Sequence, residues 1–387
     1  MIYKLFLLSI FCLDLFSPVT ILAQKTAGIK WSAVAELPPV GGTQKNPGVA
    51  GAFCGMHNNV LLVAGGANFP DSMPWQGGKK KYWDDIYILT KPIIRNFGWS
   101  KKYSDGDCKL KQKVAYGASV TTDDGVVCVG GENENVISKE VFLLQWDAEN
   151  RQVIIKELPG LPLALTNASA AASEKIIYVA GGETPNGVSD KFFSLDLANT
   201  SVGWKELRVI PKPISHAVML SPSPEKIFLI GGRRKTATGI SELYNSVFEF
   251  DIISGHWEEK RELPYALSAG TGIVKSKNII LLFGGDKGET FHQTEILLTA
   301  IAEEKDDVKR KKLVEQKNKL QQNHPGFSPE ILQYDITKDE WKLEGVTPFV
   351  APVTTSAVKW KEYVFIPSGE IRAGVRTPQI LRGKLKQ

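Results

Sequence analysis

The stretch IIYVAGG, residues 176–182, decides the fold because it does not stand alone. An apolar run closed by two glycines recurs as LLVAGG (61–66), VVCVGG (126–131), IFLIGG (227–232) and ILLFGG (280–285), and a sixth copy, YVFIPSG (363–369), ends in Ser-Gly. Gly131, Gly182, Gly232 and Gly285 follow one another at 51, 50 and 53 residues, a repeat period rather than chance. Other features recur in phase. A run of small residues precedes each copy: GVAGAF, AYGASV, NASAAA, SHAVML, SAGTGI and TTSAVK. An alternating segment follows it, as in DDIYIL, KEVFLL, KFFSLD, SVFEFD, EILQYD and TPQILR. A tryptophan comes next in four units, at Trp99, Trp204, Trp257 and Trp341, and Leu158-Pro159, Ile210-Pro211 and Leu263-Pro264 lead onward.

Each unit therefore holds four short β-branched and aromatic strands separated by turn residues, which is the composition of a propeller blade. The glycine pair supplies positive φ at the end of the second strand and lets a neighbouring backbone come close. The tryptophan offers a large flat ring to the gap between blades. The sixth unit runs out of chain before its fourth strand, whereas KWSAVAELPPV (30–40) has a tryptophan and a Leu-Pro but nothing before it. The expectation is an all-β, six-bladed kelch-type β-propeller over residues 25–387, closed by the N-terminal strand in the last blade. One segment departs from the pattern. Residues 299–330 are dense in strong helix formers and predict a helical insertion within blade five. It reads either as a solvated excursion or as a lid over the funnel mouth, since long insertions in compact folds are often functional.

The bulk properties bound the rest. Among 387 residues, 43% are apolar and 23% charged, with a net charge of +5 and no basic block interleaved with aromatics, so nucleic acid is not an expected partner. Residues 1–24 pair Lys4 with an apolar stretch and small or polar residues at Ala23 and Gln24, the layout of a cleaved secretory signal peptide. No later segment has the ~18 continuous apolar residues of a membrane span. Cys54, Cys108 and Cys128 are too few for a disulfide framework, and the apolar runs around Cys54 and Cys128 predict buried thiols. The histidines at 57, 216, 256, 292 and 324 lack metal-ligand spacing and read as structural. No nucleophile elbow, phosphate loop or dinucleotide fingerprint occurs.

What remains are residues just past each signature, on loops at one end of the ring: Asn68, Glu132, Glu183, Arg233, Asp286 and Glu370. Two loops stand out. Residues 65–85 gather Asn68, Trp75, Lys79, Lys80 and Tyr82, a mixture of amide, rings and cations suited to sugars and acidic ligands. The other is FIPSGEIRAGVRT (365–377), in which Glu370 and Arg376 place a proton acceptor and a carboxylate clamp on one loop.

These segments carry a resemblance. GVAGAFCGMHNNVLLVAGGANFPDSMPWQGGKKKYWDDIYIL resembles a blade of bacterial N-acetylneuraminate epimerases, the sialic acid mutarotases. YVFIPSGEIRAGVRTPQIL is similar to the family segment with Gly-Glu, five intervening residues and Arg, and VAYGASV with VCVGGEN to the next blade. The likeness spans residues 30–387, and the charged insertion sits where the family has a helical one. The blade order differs from that of better-known members, as in a cyclically permuted form, which leaves neighbours in a closed ring unchanged. The resemblance implies that Glu370 is the proton acceptor and Arg376 its partner; by their place on the loops, Asn68, Lys80, Tyr82, Glu132, Glu183 and Arg233 are the substrate-binding candidates. It implies an acidic-sugar substrate, sialic acid, and anomer exchange by ring opening and reclosure, with no metal or organic cofactor. It favours the periplasm, with secretion to the medium as the alternative. The competing reading is an exported, non-enzymatic kelch propeller that binds glycans or a protein. A sialidase lacks support without Asp-box repeats, as does a copper oxidase without clustered His and Tyr ligands.

Overall fold

The computed structural model describes residues 28–39, 44–90, 98–99 and 108–386; the signal peptide expected at 1–24 lies outside them. Six four-stranded antiparallel sheets form a β-propeller. Blade one contains Phe53–His57, Val60–Ala64, Ile86–Thr90 and Gly98–Trp99, and blade two Ala118–Thr122, Gly125–Val129, Val141–Asp147 and Gln152–Leu158. Blades three, four and five begin at Ser169–Ser173, Val218–Ser223 and Thr271–Ser276. Blade six takes Val358–Trp360, Tyr363–Pro367 and Gln379–Lys384 from the C-terminal end and Lys30–Glu36 from the N-terminal end. The expected closure is thus formed, with Trp31 opposite Gly383, whose missing side chain leaves room for the indole.

Successive side chains of a strand point to opposite sheet faces, and here both faces are buried. Leu61 and Val63 pack towards blade six, whereas Leu62 and Ala64 pack towards blade two. Six such clusters fill the six gaps between blades. The tryptophans fasten the outer edge. The indole N–H of Trp99, Trp204, Trp257 and Trp341 donates to the carbonyls of Glu36, Pro159, Arg208 and Arg261, at or just past the end of the preceding blade's outermost strand, at 2.7, 2.7, 3.3 and 2.9 Å. Cys54 and Cys128 are buried free thiols, as their apolar runs predicted.

A second fastening lies around the axis. Gly51, Tyr116, Asn167, His216, Ala269 and Thr354 each precede an innermost strand, and all six have φ between 50° and 68°. Their backbones form a closed circle in which Tyr116 donates to Gly51, Asn167 to Tyr116, His216 to Asn167, Ala269 to His216, Thr354 to Ala269 and Gly51 to Thr354, at 2.7–3.1 Å. Left-handed residues turn each amide towards one neighbouring blade and each carbonyl towards the other. The circle separates a channel of about 430 Å³ between the inner strands from a funnel of about 410 Å³ on the side of the long loops.

The helical insertion starts earlier than the 299 expected. Helix α1 is Glu289–Glu303 and α2 is Asp307–Gln322, both inserted between Ile279–Phe283 and Glu330–Asp335 of blade five. The run EILL, residues 295–298, has the look of a strand, but Glu295 is turned inward, where its carboxylate accepts from the amide and hydroxyl of Ser241 in blade four at 2.8 and 2.7 Å. His292 Nε2 donates to the Ser241 carbonyl at 2.8 Å. Helix α2 reaches across to the short turn Pro74–Gln76 of blade one. The insertion is a strap tied to blades four and one, and Thr290, Phe291, Gln321 and His324 of this segment line the funnel. No helix of the described residues is long and apolar enough to cross a membrane.

Candidate active site

Five of the six blades send one residue to the funnel wall through the same local device. The residue after the signature glycines forms an antiparallel bridge with a residue ahead of its blade's inner strand: Glu132 with Ala115, Glu183 with Thr166, Arg233 with Ser215, Asp286 with Ser268 and Glu370 with Val353. In blade one the bridged residue is Ala67, not Asn68. That single step reverses the side chain, because strand positions alternate between faces. Asn68 is therefore buried away from the funnel, accepting from Trp83 Nε1 at 2.9 Å and donating to the Gly48 carbonyl at 2.8 Å. Asn68 thus holds the blade-one loop and does not reach the funnel where it was expected.

Glu370, Arg376, Lys80, Glu132, Glu183 and Arg233 do line one cavity, together with Asp286. Tyr82 does not. It is buried behind Glu132, to whose carboxylate its hydroxyl donates at 2.9 Å, and burial with that carboxylate pushes the phenol's pKa up. Lys80 stands at the rim, 3.8 Å from Glu132 and over the Tyr116 ring at 4.7 Å. Trp75 packs near Gly374 rather than into the funnel.

The hairpin Glu370–Arg372 with Val375–Arg376 sets the glutamate directly opposite the arginine. Glu370 Oε2 lies 3.0 Å from Arg376 Nη2, and Oε1 accepts from the Gly374 amide at 2.8 Å, so both carboxylate oxygens are held. Arg376 lies over the Phe69 ring at 4.8 Å, and its Nη2 also reaches the Tyr116 hydroxyl at 3.4 Å. Its Nε and Nη1 are sealed from solvent and meet no acceptor among the described residues.

Across the funnel a chain of four side chains runs through blades three and four. Arg233 Nη2 lies 3.0 Å from His216 Nε2, His216 Nδ1 lies 3.0 Å from Ser215 Oγ, and Ser215 Oγ donates to Glu183 at 3.0 Å. Burial, with Arg233 beside it, lowers the pKa of His216 well below its ordinary value, so the ring is neutral. Burial also lowers that of Arg233, against the pull of Glu183, Asp286, Glu295 and Glu370. The structural reading of the histidines holds for His57, which accepts from the Trp146 amide at 2.8 Å, but not for His216 and His324, which line the cavity. A signal for His216 was present: it falls in phase with Tyr116 and Asn167 within the small-residue runs, where large side chains are out of place. Among the described residues no group of three His, Cys, Asp or Glu side chains is arranged to hold a metal ion.

Comparison with known proteins matches this architecture to one family. The family model described as N-acetylneuraminate epimerase matches residues 17–154 and 158–387. A protein of that name from Brucella melitensis is 26% identical over 232 residues, 59% of this chain and 59% of the relative. One from Haemophilus influenzae is 23% identical over 227 residues, 58% and 59% of the two chains. One from Salmonella enteritidis is 37% identical over 114 residues, 27% of each. The chain thus spans 59% of the length of the first curated relatives it matches.

Proposed function

The chain belongs to the N-acetylneuraminate epimerase family, and on that premise we propose that its funnel interconverts the α and β anomers of N-acetylneuraminic acid. The observation that carries this reading is the Glu370 carboxylate, facing the cavity with one oxygen held by Arg376 at 3.0 Å and the other by the Gly374 amide at 2.8 Å. Mutarotation requires little more than proton movement. Glu370 takes the proton of the anomeric hydroxyl, the bond from the anomeric carbon to the ring oxygen breaks, and that oxygen takes a proton from solvent water as the open-chain ketone forms, the hydroxide released recovering the proton from Glu370. Rotation about the adjacent carbon–carbon bond presents the other face of the carbonyl, and reversal of the same steps closes the ring. A positioned general base contributes about 10²–10⁴-fold to such proton transfer. The remaining wall suits a polyhydroxylated acid, with the carboxylates of Glu132, Glu183 and Asp286 as hydroxyl acceptors. Export to the periplasm is part of the proposal and is supported by the leader-like residues 1–24.

The test follows freshly released α-N-acetylneuraminic acid by proton NMR at a pH where spontaneous exchange is slow. The expected outcome is faster appearance of the β anomer, reduced about 10²–10⁴-fold in Glu370→Gln. Full activity in that variant would remove Glu370 from the mechanism. No acceleration by the native protein would favour the binding propeller.

A further inference from the structure

The funnel contains two arginines, and they are not equivalent. Arg376 already has a carboxylate partner in Glu370 at 3.0 Å, its side chain is 4% exposed, and its Nε and Nη1 are sealed. Arg233 makes no ion pair among the described residues; its one side-chain hydrogen-bond partner is the neutral imidazole of His216, at 3.0 Å. Carboxylates act on it only from a distance. Arg233 is half-buried in the funnel wall, and a charge-assisted, two-pronged bond to an incoming carboxylate would supply the counter-charge that no described residue places beside it.

The direction of the hydrogen bonds makes Arg233 a preset receptor. A guanidinium can only donate, so His216 Nε2 carries no proton and Nδ1 does. Nδ1–H then donates to Ser215 Oγ, and the Ser215 hydroxyl donates to Glu183. Every proton in the chain is assigned, and the imidazole cannot turn without breaking it. The His216 backbone is fixed in the axial circle, and the Phe291 ring of α1 lies 4.5 Å from the guanidinium carbon. The plane of Arg233 is thereby set, and among the described residues its side chain makes no further hydrogen bond.

We propose that Arg233 receives the substrate carboxylate, that His216 is the positioning residue that holds it for that task, and that Arg376 serves Glu370 instead. This rests on the acidic-sugar reading given above.

The experiment compares calorimetric affinities for N-acetylneuraminic acid and its uncharged methyl ester in the native protein and in variants. The native protein is expected to prefer the acid by about 10- to 100-fold, the strength of a charge-assisted bond. Arg233→Gln should bring that ratio close to one, and Arg376→Gln should leave it in place. His216→Leu should weaken binding of the acid alone. His216→Gln, whose amide oxygen can accept from Arg233, should restore most of it, a rescue that a purely structural histidine would not show. If Arg233→Gln fails to fold, His216→Leu, which retains the charge, carries the same comparison. The proposal is overturned by a ratio that survives in Arg233→Gln and collapses in Arg376→Gln, or by no preference in the native protein. Native turnover with an intact ratio in Arg233→Gln sinks only this assignment, whereas neither turnover nor binding of either form sinks the sugar reading and the proposal together.

Discussion

Ser368→Gly would give the sixth blade the glycine that the other five carry, yet it is expected to destabilise the protein. At the other junctions the first glycine has φ of 62–68° and the next blade's carbonyl lies against it; a Cβ on Gly181 would sit 2.1 Å from the Ile214 oxygen. Ser368 keeps the same backbone, with φ of 58°, and is fully buried. Its hydroxyl accepts from the Val49 amide at 2.9 Å and lies 2.7 Å from the Thr377 carbonyl, bridging two groups that elsewhere bond directly, as Val114 does to the Trp83 carbonyl at 3.1 Å. Glycine relieves about 1–2 kcal/mol of left-handed strain but returns about 0.4–1 kcal/mol through the freer unfolded chain. Against that small gain, a buried Val49 amide loses its acceptor, at about 1–3 kcal/mol, and the hydroxyl's own donation is lost, at about 1 kcal/mol. The net is about 2 kcal/mol of destabilisation, and Ser368→Ala, which keeps the strain, is expected to lose about 1 kcal/mol more. Equilibrium urea unfolding should show the order Ser, Gly, Ala in midpoint with an unchanged slope. A glycine variant as stable as the native protein would mean that the Ser368 hydroxyl is dispensable and that the junction closes to the direct bond of the other blades.

Gly181→Ala is expected to cost more than a typical surface substitution, since φ is 65° and the Ile214 carbonyl occupies the Cβ position; about 1–2 kcal/mol of strain adds to about 1–3 kcal/mol of overpacking, read by the same unfolding curve. Glu295→Ala removes both bonds from α1 to Ser241, so limited proteolysis is expected to cut near residues 304–306 faster than in the native protein, with the blades left intact. His216 and His324 are held neutral chiefly by burial, their folded pKa values below the ordinary 6.5. As pH falls through 6.5 the unfolded chain binds these protons first, so stability is lost from there downward, towards the folded values. His216→Gln is expected to make the fall of unfolding free energy below pH 6.5 shallower; an unchanged slope would show that His216 is not buried in the neutral form.

The repeat, the blade count and the closing N-terminal strand were legible in the chain because each depends on local chemistry. Glycine marks the end of a second strand, apolar runs fill both sheet faces, and Trp31 without a preceding blade can belong only to the blade that lacks a strand. Glu370 and Arg376 were legible for the same reason, since one short hairpin with five residues between them brings them together. Contacts between blades were not. Asn68 reads as a funnel residue because the glycine signature fixes position only to within one residue, and one residue is enough to turn a strand side chain to the other face. The EILL run within α1 looks like a strand until Ser241 of blade four is there to receive Glu295. His216 looks like an isolated histidine until the ring closes and Ser215, Glu183 and Arg233 meet it. The blades follow from the chain alone, because strand alternation and glycine geometry act over a few residues. Which arginine is paired and which meets no anion among the described residues depends on side chains from different blades converging on the axis, and is visible only in the folded ring.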